Sequence, residues 1–265
     1  MLDALAPARR RLLLGVLAAV VLAVVVGTVA IVLGRPAAVD PVSQDAQGPV
    51  LLVPGYGGST TALEVLAGAL RDAGREARVV PTGGSGTGDL LDQARVLDEA
   101  VRAALEASGA PSVDVVGYSA GGVVARLWAG ELDGNAVARR IVTLASPHHG
   151  TSLAGLAGDL APDSCPAACR QLAPDSDLLR DLNAGDETPE GPRWVALWTT
   201  DDQTVVPPES GSLDGALDFA VQDVCPGMGV AHADVPRTPA VMAMVTVLLG
   251  RETPVVPAPE LCESD

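Results

Sequence analysis

Residues 113–124 read Val-Asp-Val-Val-Gly-Tyr-Ser-Ala-Gly-Gly-Val-Val, and this stretch constrains the fold more than any other. A short β-branched run stops at Gly117. Ser119 follows two residues later, then Gly121 and Gly122, and an apolar helical pattern begins. The pattern is Gly-x-Ser-x-Gly between a strand and a helix. A serine hydroxyl is a poor nucleophile unless it is held clear of the sheet beside a base. The turn that achieves this is strained and crowded. Gly117 and Gly121 lack a Cβ, so strand and helix can approach closely around it. Ser119 is therefore a candidate nucleophile, set against the plainer reading of a structural serine in a Gly-rich turn.

The surrounding pattern supplies the fold class. From Pro49 onward, short apolar runs at 50–53, 77–80, 113–116, 141–144 and 194–198 alternate with helical segments. Leu90, Ala94, Leu97, Val101 and Leu105 mark one face of a helix. A second helix is expected from about Ser59 to Gly74, and a third after Ser119 with Val123, Val124, Leu127 and Trp128 facing inward. Strands alternating with helices at this spacing predict an α/β fold, a mainly parallel sheet with helices on both faces. Residues 49–250 are assigned to this domain. Residues 152–192 fit the alternation least well. With a cysteine pair, several prolines and a short helix near 175–182, they are either a lid or a cysteine-stapled loop. The stapled loop is preferred because the segment is not strongly apolar.

Residues 12–33 carry no charge and are almost wholly Leu, Val and Ala, and Arg9, Arg10 and Arg11 precede them. A run of that length crosses a hydrocarbon core at about 1.5 Å per residue. The basic cluster at 1–11 should stay in the cytoplasm and send the rest of the chain across. Residues 12–34 are thus expected to be a single membrane anchor followed by a linker at 35–48. A cleaved signal segment that releases a secreted domain is the alternative. All 17 basic residues are arginine and the formal charge is −16, which argues against nucleic acid as a partner. Aromatics are only 2%, so the core must be built from Ala, Val and Leu.

The four cysteines fit an oxidising compartment and allow three pairings. Cys165–Cys169 with Cys225–Cys262 is favoured. Pro166 would bend the chain between the first two, because i and i+4 side chains of a straight helix stand about 5–6 Å apart at Cβ. The second bond would pin the Pro-rich tail, 251–265, to the loop before His232. A zinc site from Cys165, Cys169, His148 and His149 is disfavoured by its irregular spacing.

In an open parallel sheet, reactive groups collect at the carboxyl ends of strands. Ser119 lies there, and its base must be one of three histidines. His148 and His149 sit just after a strand. His232 lies late, and the order Ser, acid, His selects it. The acid should follow the strand at 194–198, where Asp201 and Asp202 are both suitably placed. A buried carboxylate would hold the imidazole in one tautomer and stabilise the imidazolium. The Ala120 amide, next after Ser119, should be one oxyanion donor. The loop Pro54-Gly55-Tyr56-Gly57-Gly58 should supply the other. That loop lacks the spacing of a phosphate cradle.

Taken together, these pieces resemble a small α/β-hydrolase of the bacterial lipase/esterase class, especially the minimal secreted lipases and actinobacterial class-2-type lipases. The resemblance rests on Val53-Pro54-Gly55-Tyr56-Gly57-Gly58, Gly117-Tyr118-Ser119-Ala120-Gly121-Gly122, Ser146-Pro147-His148-His149-Gly150-Thr151, Asp202-Gln203-Thr204-Val205-Val206-Pro207 and the late His232. It spans residues 50–232. It implies an Asp-x-x-Val-x-Pro acid motif, hence Asp202 rather than Asp201, and the Tyr56 backbone N–H as second oxyanion donor. Cys225, shortly before the histidine, is similar to the family too. Many relatives carry His-Gly where this chain has Pro54-Gly55. The implied protein is a monomeric carboxylic ester hydrolase, Ser119–His232–Asp202, acting on small esters or lipids. No metal or organic cofactor is implied. An acyltransferase with the same triad, or a non-catalytic binding module, are the rivals.

Overall fold

The computed structural model describes residues 15–26 and 39–263. Two units, Met1–Ala38 and Val39–Asp265, separate by their contacts. In the first, residues 15–26 form a helix, α1, exposed along its length. Residues 12–14 and 27–34 of the expected anchor lie outside the described residues. Among the described residues, no helix is long and apolar enough to cross a membrane.

The second unit is built on six parallel strands: β1 Val50–Val53, β2 Ala77–Val79, β3 Val113–Tyr118, β4 Ala138–Leu144, β5 Arg193–Trp198 and β6 Leu217–Ala220. Their spatial order is β2-β1-β3-β4-β5-β6. The register places Val53 beside Gly117, and Tyr118 beside Leu144. Continuous apolar strands are explained by burial on both faces. Leu51, Val115, Ile141 and Ala196 face one core, shared with α3 (Leu90–Ser108) and α4 (Ala120–Glu131). Leu52, Val116, Val142 and Leu197 face the other, shared with α2 (Thr61–Asp72) and α9 (Pro239–Leu248). Asp89 caps α3 by accepting from the Leu91 amide, 2.8 Å. Gly109 ends it in the left-handed conformation.

β6 escaped the sequence reading because Leu-Asp-Phe-Ala is a short edge strand with an acidic residue inside it. β4 begins three residues earlier than expected, at Ala138, because Arg139 and Arg140 are strand residues despite their charge. Residues 152–192 hold three helices rather than one: α5 Ser152–Leu160, α6 Ala167–Gln171 and α7 Asp177–Leu182. The last α elements in order are α8 (Val221–Val224), between β6 and the His232 loop, and α9. The segment is also more apolar at its surface than its composition suggested. Leu156 and Leu160 on α5 are 55% and 76% exposed.

Both favoured disulfides form, Cys165–Cys169 and Cys225–Cys262. Cys165 is extended and precedes α6, so the chain turns at Pro166 and the two Cα atoms come within 5.2 Å. Residues 44–48, expected to be linker, are held against the base of the sheet: the Gln47 side chain donates to the Leu249 carbonyl at 2.9 Å.

Candidate active site

Ser119 sits between β3 and α4 with φ 53° and ψ −126°, a region side chains rarely adopt. The crowding that holds it there is explicit. A Cβ on Gly117 would stand 2.5 Å from the Gly122 Cα, and one on Gly121 would stand 2.2 Å from the Val53 carbonyl oxygen. The Ser119 amide donates to the Leu144 carbonyl at 2.8 Å, which fixes the turn to β4.

The His232 Nε2 lies 3.0 Å from the Ser119 Oγ. Its Nδ1 lies 2.7 Å from the Asp202 Oδ2. The other Asp202 oxygen accepts from the amides of Thr204 and Val205, both at 2.8 Å, so the carboxylate is oriented by its own loop. All three side chains are largely buried. Tyr118 packs its ring 5.2 Å from the imidazole and donates its hydroxyl to the His232 carbonyl at 3.1 Å. Burial, with Asp202 nearby, pushes the Tyr118 phenol up to about 12, so the hydroxyl stays a donor at neutral pH.

Tyr56 and Ser119 line one cavity. A Cβ on Gly55 would stand 2.9 Å from the Ser119 Cβ, so the Gly55–Tyr56 loop lies against the serine. Among the described residues, the amides of Tyr56 and Ala120 donate to no acceptor. For Ala120 this follows from its place in the first turn of α4, where backbone donors have no partner inside the helix. Two unspent donors beside the Ser119 hydroxyl are placed where an oxyanion could be received.

Asp201 does not join this set. Its carboxylate accepts from the Val230 amide and from the Gln222 side chain, each at 3.2 Å. The Gln222 amide nitrogen also reaches the Thr199 hydroxyl and the Met228 carbonyl, both at 3.0 Å. Thr199 in turn donates to the Val230 carbonyl at 2.8 Å. Thus Asp201, Gln222 and Thr199 tie the loop carrying Asp202 to the loop carrying His232. The sequence reading missed Gln222 and Thr199. Only the neighbouring Asp-Asp pair hinted that one carboxylate has a bracing task.

His148 and His149 are elsewhere. His148 is fully buried, with Nε2 3.0 Å from the Thr143 hydroxyl. His149 pairs with Glu187 at 2.9 Å, half-exposed. Cys165 and Cys169 are consumed in their disulfide. Among the described residues, no cluster of His, Cys, Asp or Glu is arranged to hold a metal ion.

The sheet order and the flanking helices define an α/β fold, and the turn at Ser119 and the late histidine meet at the carboxyl end of its sheet. Comparison with known proteins agrees at the level of fold. A PGAP1-like alpha/beta domain model matches residues 83–156, a stretch that holds Ser119 but neither Asp202 nor His232. The mature form of the Bacillus licheniformis lipase BlEst2 is similar at 18% identity and a TM-score of 0.63, over 82% of this chain and 96% of that one. Aspergillus fumigatus lipase B is similar at 20% identity and a TM-score of 0.62, over 81% of this chain and 55% of that one. No protein of curated function matches the chain in sequence.

Proposed function

We propose that the protein is a serine hydrolase of carboxylic esters, of the lipase/esterase type. The observation that carries this reading is the continuous path from the Asp202 carboxylate through His232 to the Ser119 Oγ, at 2.7 and 3.0 Å, beside two unspent amides. Ser119 attacks the ester carbonyl carbon. The His232 Nε2 takes the hydroxyl proton and returns it to the departing alcohol. Asp202 orients the ring through Nδ1 and stabilises the imidazolium. The Tyr56 and Ala120 amides receive the negative charge on the carbonyl oxygen; each such donor is typically worth about 2.7–4 kcal/mol in the transition state. Water, activated by the same histidine, then frees the acid from the acyl-enzyme. The two disulfides support a place outside the cytoplasm. The proposed anchor at 12–34 is supported by its apolarity and the three arginines before it.

The test is turnover of soluble p-nitrophenyl esters by the full-length protein, with Ser119→Ala and His232→Ala alongside. Each substitution is expected to lower kcat by at least about 10³-fold. A wild-type rate that survives Ser119→Ala would overturn the assignment.

A further inference from the structure

The cavity at Ser119 measures about 300 Å³, and none of its lining residues carries a charge. One side belongs to the stapled segment. Leu153, Ala154 and Ala157 of α5, with Leu172 and the Cys169 half-cystine, form a mostly aliphatic wall that starts at the nucleophile. The wall is fastened at both ends. Thr151 caps α5 and donates to the Thr204 carbonyl at 2.7 Å, in the loop that carries Asp202. The Ser152 amide donates to the Val206 carbonyl at 2.9 Å. At the far end, the Ala168 amide donates to the Thr87 carbonyl at 3.2 Å, and Gln171 accepts from the Leu90 amide at 2.9 Å. The Cys165–Cys169 bond closes the short loop between them.

We infer that residues 152–172 are a fixed acyl-binding wall that selects a neutral ester of a medium-length aliphatic acid, with Ala157 setting how far the chain extends. This rests on the proposed Ser119 chemistry, because it places the ester carbonyl at that residue. The occupant follows from three facts: the slot is continuous with Ser119, its wall is apolar, and no cation lines it to meet a phosphate or carboxylate. At roughly 30 Å³ per water-sized unit, the space admits roughly ten heavy atoms, hence an acyl chain of about eight carbons. Ala154 and Ala157 are small where the slot runs along α5. A larger side chain there occupies space the substrate would use.

The experiment uses the full-length protein, disulfides intact, and p-nitrophenyl esters from acetate to dodecanoate. In the wild type, kcat/KM should rise about fourfold per methylene and level off near eight carbons. Ala157→Leu adds three heavy atoms and should move the plateau to about five carbons. It should cost octanoate at least about tenfold and acetate less than about twofold. Leu156→Ala, on the same helix but outside the cavity, should leave the profile unchanged. Binding of the octanoate and acetate esters to Ser119→Ala, by calorimetry, separates the inference from the proposed reaction. Length-dependent binding that Ala157→Leu removes supports the wall even if no ester turns over. A flat wild-type profile, or an equal loss on every chain length, would overturn it, as would binding indifferent to length.

Discussion

The two ends of the sheet both bury charge, and they use it in opposite ways. At the carboxyl end, Asp202 faces one imidazole, Ser119 sits in a strained turn, and two amides point at nothing. At the amino end, Asp114 of β3 is fully buried between Arg75 and Arg139, each 2.6 Å away. Arg139 spends all five of its N–H donors. Two go to Asp114, two to the Gln44 and Gly250 carbonyls, and one to the Leu249 carbonyl. Arg140 reaches the Leu248 carbonyl beside them. The Leu248, Leu249 and Gly250 carbonyls close the C-terminal end of α9, where a helix leaves acceptors unpaired and welcomes positive charge. The amino end is saturated and serves stability. The carboxyl end is left with capacity, and that capacity is what the proposed chemistry needs.

The sharpest test of this contrast removes a carboxylate from each end. Under the proposed roles, Asp202→Asn lets the imidazole settle in the wrong tautomer. The expected fall in kcat is about 10³–10⁴-fold, with the melting temperature almost unchanged. Steady-state rates and a thermal melt on the same preparation decide it. A large loss of stability with little loss of rate would put Asp202 in the same class as Asp114.

Asp114→Ala should do the reverse. It leaves Arg139 buried without its counter-charge, at a cost of about 3–5 kcal/mol in unfolding free energy. Whatever protein stays folded should keep the wild-type kcat per folded molecule. Urea unfolding paired with active-site titration checks both halves. Unchanged stability would mean that the guanidinium contacts with carbonyls suffice alone.

The same contrast explains what the sequence made legible. The carboxyl end was readable because the proposed chemistry demands particular residues at particular places. Glycines flank Ser119, only one histidine follows the last acid-bearing strand, and strand ends gather reactive groups. Even so, residue position left Asp201 and Asp202 level. The choice turned on family resemblance, and in the structure the histidine meets Asp202 while Asp201 holds the Val230 amide. The amino end was invisible because most of the arginine partners there are backbone carbonyls, which carry no sequence signal. The strand expected at 141–144 left Arg139 and Arg140 outside it. They are strand residues whose charge is spent 110 positions away, on the Leu249 carbonyl in the case of Arg139. The helices of 152–172 were likewise hidden, because Ala, Gly and Pro are frequent there and Leu156 and Leu160 of α5 turn outward rather than into a core.

The smallest expected effect concerns a group that sits at the carboxyl end yet has no charged partner to balance it. His148 is fully buried. The Thr143 hydroxyl donates to the Val195 carbonyl at 3.4 Å, so the His148 Nε2–H is the donor in their 3.0 Å contact. Nδ1 then has no partner among the described residues. Protonation would bury a second donor with no acceptor. Burial first, then Arg126 and His149, holds the imidazole well below its ordinary value of 6.5. The sign follows from proton uptake. Below about pH 6.5 the unfolded chain binds a proton at this position that the folded chain refuses, so stability is complete above that pH and falls as the pH drops. The slope attributable to one such group is about 1.4 kcal/mol per pH unit. Unfolding free energies of wild type and His148→Gln, compared between pH 7.5 and 5, should therefore converge as the pH falls, because only the wild type carries this penalty. Parallel curves would show that His148 takes up its proton in the folded state. The carboxyl end would then tolerate buried positive charge as readily as the amino end does.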